Sequence, residues 1–215
     1  GLMLEKQIIQ LPKNTLGNDY VIGDVHGSNA GLRVVIAHLK PQDRLFIVGD
    51  LFDRGRDSPD VFRLIMEAIE KGTKIYVTRG NHEEMFLKAI AVLTQFANDP
   101  APTLSDELKK CIHTFLGNGG NWIFTDKKNQ DDYQNLWDHT SLSQFRCDAN
   151  FFKMPTHPLL PKIQAYLETL PYIIIVGGFD DPNSFIVCHA DLPFTDDELQ
   201  KRLSPPHKPL QADEI

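Results

Sequence analysis

The stretch RLFIVGDLFDRG, residues 44–55, decides the fold of this 215-residue chain. It opens with a continuous run of bulky apolar residues, which is typical of a strand covered on both faces rather than on one. The run ends in Gly49 and Asp50, so a carboxylate follows the strand directly. In open α/β sheets, functional sites form at the carboxyl ends of the strands. The stretch therefore predicts a buried strand with Asp50 at the functional edge of its sheet.

Similar units lie on either side of this stretch. DYVIGDVHG, residues 19–27, and KIYVTRGNHEE, residues 74–84, are also β-rich runs that end in glycine and polar residues. The segments between the three runs, residues 29–40 and 58–72, have the apolar spacing of amphipathic helices. A repeat of about 30 residues suits βαβ crossover units. This half of the chain is predicted to be α/β, with parallel strands covered by helices.

The remainder of the chain changes character. Residues 85–170 are predicted to form a helical cap or insertion with long loops, within a single domain that spans residues 1–215. Two strands return in PYIIIVGG and SFIVCHA, and FDDPN between them predicts a tight turn and a β-hairpin. Residues 195–215 contain three prolines and no periodicity, which predicts an irregular tail.

The composition limits the classes of function. A net charge of −7 and a pI near 5.6 disfavour a nucleic-acid or anionic-membrane surface, because both need clustered Lys and Arg. Three widely spaced cysteines without a C-x-x-C pair favour a reducing compartment. The N-terminal residues make a poor signal peptide, and no apolar run is long enough to cross a membrane. We expect a soluble, cytoplasmic protein of unspecified oligomeric state.

Chemistry-bearing side chains cluster after the predicted strands. In GDVHG, Asp24 and His26 point the same way from an extended segment while Val25 packs inward. Asp50 takes the place on the second strand that Asp24 takes on the first. Two carboxylates that face one cleft repel each other, and a divalent cation neutralises this repulsion.

The third strand adds Arg79, Asn81 and His82 at the same edge, and CHADLP adds His189 after a later strand. Each motif alone has a structural explanation. Asp-x-His suits a capped turn, DRG suits a turn before a helix that begins near Ser58 or Asp60, and Asn81 suits a helix cap. The glycines of GNGGNW suit either a helix C-cap or a wall of the site. Three consecutive strand ends of the form Gly-Asp, Gly-Asp and Gly-Asn favour a metal site.

The motifs GDVHG, GDLFDRG, RGNHE and CHAD, in this order and spacing, resemble the metallophosphoesterase superfamily and, within it, the phosphoprotein phosphatase family of serine/threonine phosphatases. FLGNGGNW and CHADLPF are most similar to its bacterial and phage branch. The resemblance runs from about Tyr20 to Phe194. It implies an α/β fold in which a sandwich of mixed β-sheets is flanked by helices.

The resemblance also implies two divalent metal ions, with Mn²⁺ the first choice and Fe or Zn²⁺ as alternatives. It places one ion on Asp24, His26 and Asp50, and the second on Asp50, Asn81 and His189. In this family a hydroxide that bridges the two ions attacks phosphorus directly, since two cations can lower the pKa of water to about 7.

Four further residues match the family's catalytic positions. Arg54 and Arg79 would hold the phosphate oxygens, because guanidinium donors match phosphate geometry. His82 would protonate the leaving oxygen, and Asp53 would orient His82. The implied substrate is phosphoserine or phosphothreonine in a protein or peptide, with phosphotyrosine left open.

The chain departs from the family pattern after CHAD. Family members continue to a Trp-x-Arg segment and a strand that ends in Gly-His, and neither is present here. His207 lies between prolines and is a poor substitute for the missing histidine. Three explanations remain: a truncated chain, a naturally weakened second metal site, or a fold that has lost catalysis. We favour truncation, because the other site residues are all retained.

Two rival functions stay open. One is hydrolysis of dinucleoside polyphosphates on the same fold, although that group typically has Ala-Arg-Gly where this chain has Asp-Arg-Gly. The other is a non-catalytic module that binds phosphoproteins, which would follow if the second metal site is naturally incomplete.

Overall fold

The structure is a computed structural model that describes residues 8–23, 25, 29–52, 57–97, 104–139, 152–178 and 180–189. Four of the predicted site residues lie outside these ranges: Asp24, His26, Asp53 and Arg54. The predicted irregular tail, residues 195–215, and the substitute ligand considered above, His207, also lie outside them.

The described elements comprise six strands and six α-helices. The strands are β1 (Ile8–Leu11), β2 (Asp19–Gly23), β3 (Arg44–Val48), β4 (Lys74–Thr78), β5 (Ile173–Val176) and β6 (Phe185–Cys188). The helices are α1 (Asn29–His38), α2 (Ser58–Glu70), α3 (Asn81–Gln95), α4 (Asp106–Gly117), α5 (Lys127–His139) and α6 (Leu160–Thr169), with a 3₁₀ helix at Gly120–Ile123.

The first sheet is parallel and has the order β2-β3-β4. Helix α1 connects β2 to β3 and α2 connects β3 to β4, so the predicted βαβ units are confirmed. Gly23, Val48 and Thr78 lie side by side in the register. Because the three strands end level, the segments that follow them emerge together at one edge of the sheet.

The second sheet has the order β1-β5-β6. Strand β1 pairs with β5 in parallel, and β5 pairs with β6 antiparallel, with Ile173 opposite Cys188 and Val176 opposite Phe185. The predicted hairpin between the last two strands is therefore confirmed. Strand β6 ends at Cys188. The direction of this strand carries the next residue, His189, toward the first sheet.

The two sheets pack face to face. Phe46 of β3 is fully buried, stacks on Tyr76 at 5.3 Å between ring centroids, and meets Phe185 of the second sheet edge-on at 6.0 Å. It belongs to one apolar cluster with Ile174 and Val187. Alternate side chains of a strand point to opposite faces, so Phe46 fills the layer between the sheets. The predicted α/β sandwich of mixed sheets and helices is confirmed.

The other face of the parallel sheet carries the main core. Leu45 and Ile47 of β3 point there and are fully buried. The helices of the middle region contribute to the same cluster, including Ile90 of α3, Ile112 of α4 and Ile163 of α6. The predicted helical character of residues 85–170 is confirmed for α3, α4, α5 and α6, whereas the domain boundaries stay a prediction. Within the described ranges, no helix is both long and apolar enough to cross a membrane.

Candidate functional site

The site begins at a sharp turn after β3. Gly49 and Asp50 both have left-handed backbone angles, with φ of 55° and 50°. Asp50 is the one non-glycine residue with positive φ in the described part of the chain. Aspartate tolerates this region better than most residues, but the conformation still costs on the order of 1–3 kcal/mol. Such strain is concentrated at functional sites, which fits the position of Asp50 at the edge of the sheet.

The imidazole of His189 lies against two glycines. A Cβ atom at Gly49 would lie 2.7 Å from Cδ2 of His189, and a Cβ at Gly80 would lie 2.7 Å from Cγ of the same ring. Both distances are far below ordinary van der Waals contact. Gly49 and Gly80 thus form the two sides of the His189 seat, the space that the imidazole ring occupies. The ends of β3 and β4 together form the place in which the ring sits.

His189, Asp50 and His82 meet at this edge. Nε2 of His189 lies 3.0 Å from Oδ2 of Asp50, and Nε2 of His82 lies 3.8 Å from Oδ1 of Asp50. The side chains of Asp50 and His189 are only 11% and 14% exposed, whereas that of His82 is 29% exposed. The three residues come from three different segments that only the folded sheets bring together.

The donor set fits a divalent cation. Oδ1 of Asp50 is buried and accepts no hydrogen bond from any described residue, and a buried carboxylate oxygen normally has a partner. Asp50 Oδ2 and His189 Nε2 lie at a hydrogen-bond distance of 3.0 Å. Two donor atoms that share an octahedral cation at about 2.1 Å also lie about 3 Å apart, so the pair would accept a cation without a change of spacing. A carboxylate and an imidazole together suit Mn²⁺, Fe and Zn²⁺.

The first predicted metal position lies around Val25, directly after β2. Asp24 and His26 lie outside the described residues, but Val25 between them is buried, as expected from the alternation. Within the described ranges, no group of three His, Cys, Asp or Glu side chains is arranged to hold a metal ion. The ligand sets therefore stay predictions.

Asn81 and His82 occupy the first turn of α3. Gly80 is the N-cap residue of this helix, so the interpretation of Asn81 as the cap is wrong. The reason is that the Gly80 amide is bound by the side chain of Glu83, which makes Asn81 the first helical residue. Asn81 is exposed and opens, with His82, onto a groove between α3 and α4.

Glu83 is a buried carboxylate that sequence reasoning missed. Its side chain accepts hydrogen bonds from the backbone N–H of Leu51 at 3.1 Å and from that of Gly80 at 3.3 Å. Burial raises the pKa of the Glu83 carboxyl, and the nearby charge of Asp50 adds to this effect. A glutamate three residues after a helix N-cap is one half of a capping box, so this half of the signal was present in GNHE, although Gly80 has no side chain to supply the other half.

Arg79 is held by residues that the sequence did not indicate. Its guanidinium pairs with the carboxylate of Glu84 and lies 5.3 Å from the ring centroid of Tyr172. The hydroxyl of Tyr172 donates to the same carboxylate. Burial, followed by this hydrogen bond, raises the pKa of Tyr172. Arg79 thus lies at the predicted sheet edge in a fixed environment, and its phosphate-binding role stays a prediction.

The GNGGNW segment lies beside His82. Asn118 is the C-cap of α4 and Gly119 follows with φ of 80°, so the C-cap interpretation is confirmed. Asn118, Gly120 and Trp122 also line a small cavity of about 30 Å³ that includes His82. The larger groove, of about 590 Å³, lies between α3 and α4 and shares His82 and Met85 with this cavity. Its lining includes Asn81, His82, Met85, Lys88, Lys110 and Cys111.

The chain is similar to two kinds of curated protein. A symmetrical bis(5'-nucleosyl)-tetraphosphatase of Pectobacterium carotovorum is 34% identical over 92 residues, which cover 41% of this chain and 31% of that protein. A serine/threonine-protein phosphatase 1 of Salmonella typhimurium is 40% identical over 75 residues, which cover 34% of this chain and 32% of that protein. The match thus spans about a third of the length of these relatives.

The chain is also similar to a solved structure and to a protein family. A solved protein serine/threonine phosphatase from Saccharomyces cerevisiae aligns over 81% of this chain and 41% of its own, with a TM-score of 0.40 and 17% identity. The sequence profile of the calcineurin-like phosphoesterases matches residues 20–209, which include all nine predicted site residues. The chain therefore belongs to the calcineurin-like phosphoesterase family.

Proposed function

We propose that the protein is a metal-dependent phosphoester hydrolase that removes phosphate from phosphoserine and phosphothreonine in proteins or peptides. One observation carries the proposal: Asp50, His82 and His189 converge at the carboxyl edge of the parallel sheet, at 3.0 and 3.8 Å from the Asp50 carboxylate. This is the edge at which α/β sheets assemble their sites.

In this proposal Asp50 would help to hold two divalent cations. Asp24 and His26 would complete the first position, and Asn81 and His189 the second. When bound, the cations would neutralise the charge of the phosphoryl group and would activate water at neutral pH. The buried Oδ1 atom of Asp50, which accepts no hydrogen bond from a described residue, favours metal binding, and the hydrogen-bond spacing of 3.0 Å between its Oδ2 and His189 is compatible with a shared cation.

The chain's own residues would perform the remaining tasks. His82 is the least buried member of the cluster, which suits a proton donor that must reach the leaving oxygen of the substrate. Asp53 would orient His82. Arg54 and Arg79 would hold the phosphate oxygens; a guanidinium has five N–H donors, so pairing with Glu84 leaves donors of Arg79 for a phosphate.

Two features of the sequence favour a phosphoprotein substrate, and a groove beside His82 has room for one. The chain has Asp-Arg-Gly at residues 53–55, where the dinucleotide-cleaving group typically has Ala-Arg-Gly. Its similarity to the Salmonella protein phosphatase reaches 40% identity. The groove of about 590 Å³ between α3 and α4 begins at His82 and gives room for the part of a substrate that lies beyond the phosphate.

A second candidate function is the hydrolysis of dinucleoside tetraphosphates. It is favoured by the similarity to symmetrical bis(5'-nucleosyl)-tetraphosphatases of several bacteria, including Pectobacterium carotovorum and Bordetella pertussis, at 34% and 33% identity. In that case the same residues would act on a phosphoanhydride instead of a phosphomonoester.

The experiment compares kcat/KM for a phosphothreonine peptide and for diadenosine tetraphosphate, with Mn²⁺ present and with His82→Asn as the control variant. The proposal predicts a higher kcat/KM for the peptide and a loss of about 10²–10⁴-fold in the variant, which is the usual size of general acid catalysis. A higher value for diadenosine tetraphosphate would establish the second candidate instead. Turnover of neither substrate by the folded chain would favour the non-catalytic module.

A further inference from the structure

The buried carboxylate of Glu83 joins two segments of the site. Its Oε1 accepts from the N–H of Leu51, the residue after Asp50, and its Oε2 accepts from the N–H of Gly80, the residue before Asn81. Leu51 lies 32 positions away in the sequence, at the end of a different strand. One side chain therefore bonds the backbone at the ends of both β3 and β4.

We propose that Glu83 is a positioning residue that sets the geometry of the Asp50–His189 pair for metal binding. The inference rests on the proposed function, because it concerns the same metal site. Glu83 does not touch the metal position in this account. It acts through the two backbone segments that carry Asp50 and that form the seat of the His189 ring.

The turn at Asp50 requires such a restraint. Gly49 and Asp50 both adopt left-handed angles, and for aspartate this conformation is held only when its surroundings fix it. The next residue, Leu51, is fully buried, so its N–H needs an acceptor within the protein. Glu83 supplies that acceptor and thereby fixes the peptide that follows Asp50.

The position of the His189 ring depends on the same two hydrogen bonds of Glu83. Gly49 and Gly80 contact the ring from two sides, so their separation decides where Nε2 lies relative to Asp50. Glu83 bonds to Gly80 itself and to the segment that begins at Gly49. A change of a few tenths of an ångström in that separation would move the imidazole relative to the carboxylate.

Glu83 does more than cap a helix. An N-cap interaction needs one acceptor for one amide near the start of the helix. Here Glu83 is only 3% exposed, although burying a carboxylate is costly, and its other oxygen accepts from Leu51 in the turn that follows β3. The second bond has no role in α3 itself, and it links the helix start to the Asp50 turn.

The chain offers a matched control in Asp43. This carboxylate is also 3% exposed and also accepts two backbone hydrogen bonds, from the N–H groups of Asn18 and Lys40 at 2.8 Å each. It lies before β3, at the opposite end of the strand from Asp50. Glu83→Gln and Asp43→Asn therefore remove the same kind of interaction from the two ends of one strand.

The test measures Mn²⁺ affinity by isothermal titration calorimetry and unfolding by urea for the wild-type chain and both variants. In Glu83→Gln, the amide NH₂ group would face one of the two N–H donors, so one bond is lost. We expect both variants to lose stability, but only Glu83→Gln to lose Mn²⁺ affinity, by about 10–100-fold, as for other groups that orient metal ligands.

Each result has a distinct meaning. If folded Glu83→Gln binds Mn²⁺ as tightly as the wild-type chain, or if Asp43→Asn loses the same affinity, the positioning role is overturned and Glu83 is structural only. If the wild-type chain binds no Mn²⁺, the proposed function fails and this inference fails with it. Should Glu83→Gln not fold, Glu83→Asp keeps the charge, is too short to reach both amides, and is judged by the same two affinities.

Discussion

Two glycine residues beside His189 allow its imidazole to lie close to Asp50. Gly49 and Gly80 each stand where any side chain would overlap the imidazole. Gly49 also has a left-handed φ of 55°, which other residues adopt at a cost. The contact between His189 and Asp50 therefore depends on two positions that carry no functional group of their own.

This dependence predicts the effect of Gly80→Ala. The added Cβ would lie 2.7 Å from Cγ of His189, so the ring must move away from Asp50. We expect a loss of about 1–3 kcal/mol in the free energy of unfolding, the usual cost of overpacking, together with weaker Mn²⁺ binding. Urea unfolding and calorimetric titration measure the two effects.

Gly178→Ala is the control for this substitution. A Cβ at Gly178 would have no atom of the described residues within 4 Å, and Gly178 does not have a left-handed φ. It should leave both quantities close to those of the wild-type chain. Unchanged Mn²⁺ binding in Gly80→Ala would show that the position of the His189 ring does not matter for the metal.

Sequence patterns located some of these residues and not others. Asp50, Asn81, His82 and His189 follow strand ends, and the repetition of that pattern identified them as candidates. The contact of Tyr172 with Glu84 joins residues that are 88 positions apart, so no local sequence pattern predicts it. Glu83 had a local signature as a capping residue, but its bond to Leu51 exists only in the folded chain.

Among the elements, β2 and β3 are joined at their beginnings by a buried ion pair. Arg44 donates to both carboxylate oxygens of Asp19, at 2.7 and 2.6 Å, and also to the carbonyl oxygen of Pro12 at 2.9 Å. The two side chains are only 8% and 12% exposed. The pair fixes the start of the strand whose other end carries Asp50.

We expect Asp19→Asn to lower the free energy of unfolding by about 3–5 kcal/mol, because it leaves the buried guanidinium of Arg44 without its counter-charge. Asp60→Asn is the matched control. Asp60 pairs with Arg63 at 2.8 Å, but both side chains are about half exposed, so its loss should cost about 0–1 kcal/mol. Equal urea midpoints for the two variants would contradict the account of the β2–β3 junction.

Some strands could be predicted from their own sequences, whereas others could not. Strands β3 and β5 are continuous buried runs, and the turn residues before β6 indicated the hairpin. Strand β1 pairs in parallel with β5, so that Ile8 lies opposite Ile173. It obtains its strand structure from a partner far away in the sequence, which explains why its own sequence did not predict it.

The dependence of folding stability on pH is a property of the whole molecule, and His157 contributes to it. Nδ1 of His157 accepts a hydrogen bond from the N–H of Leu159, and its ring meets Trp122 edge-on at 5.5 Å. Burial, with a further effect from the charge of Arg63, lowers the pKa of His157. The unfolded chain therefore binds the proton more readily than the folded chain does.

This difference predicts a loss of stability as the pH falls below about 6.5, the ordinary pKa of histidine. Above that pH both states are neutral at this residue and the effect vanishes. His157→Gln should lose less stability than the wild-type chain between pH 7.5 and 5.5, as measured by urea midpoints. The same decrease in both proteins would show that His157 makes no contribution.

The site as a whole is a product of the complete fold. Asp50 and His189 are 139 residues apart and come from different sheets, which meet only because Phe46 and its neighbours pack between them. The sequence could indicate that each residue follows a strand, but not that the second sheet directs His189 into the seat between Gly49 and Gly80. That placement depends on the strand order β1-β5-β6 and on contacts between the sheets.

The most direct measurement is the Mn²⁺ dependence of p-nitrophenyl phosphate hydrolysis by the wild-type chain and by Asp50→Asn. The account predicts turnover that EDTA abolishes and Mn²⁺ restores, and a kcat/KM in the variant that is lower by about 100-fold or more, because even groups that only orient metal ligands contribute about 10–100-fold. Turnover that is insensitive to EDTA, or equal in the two proteins, would contradict the central role of Asp50.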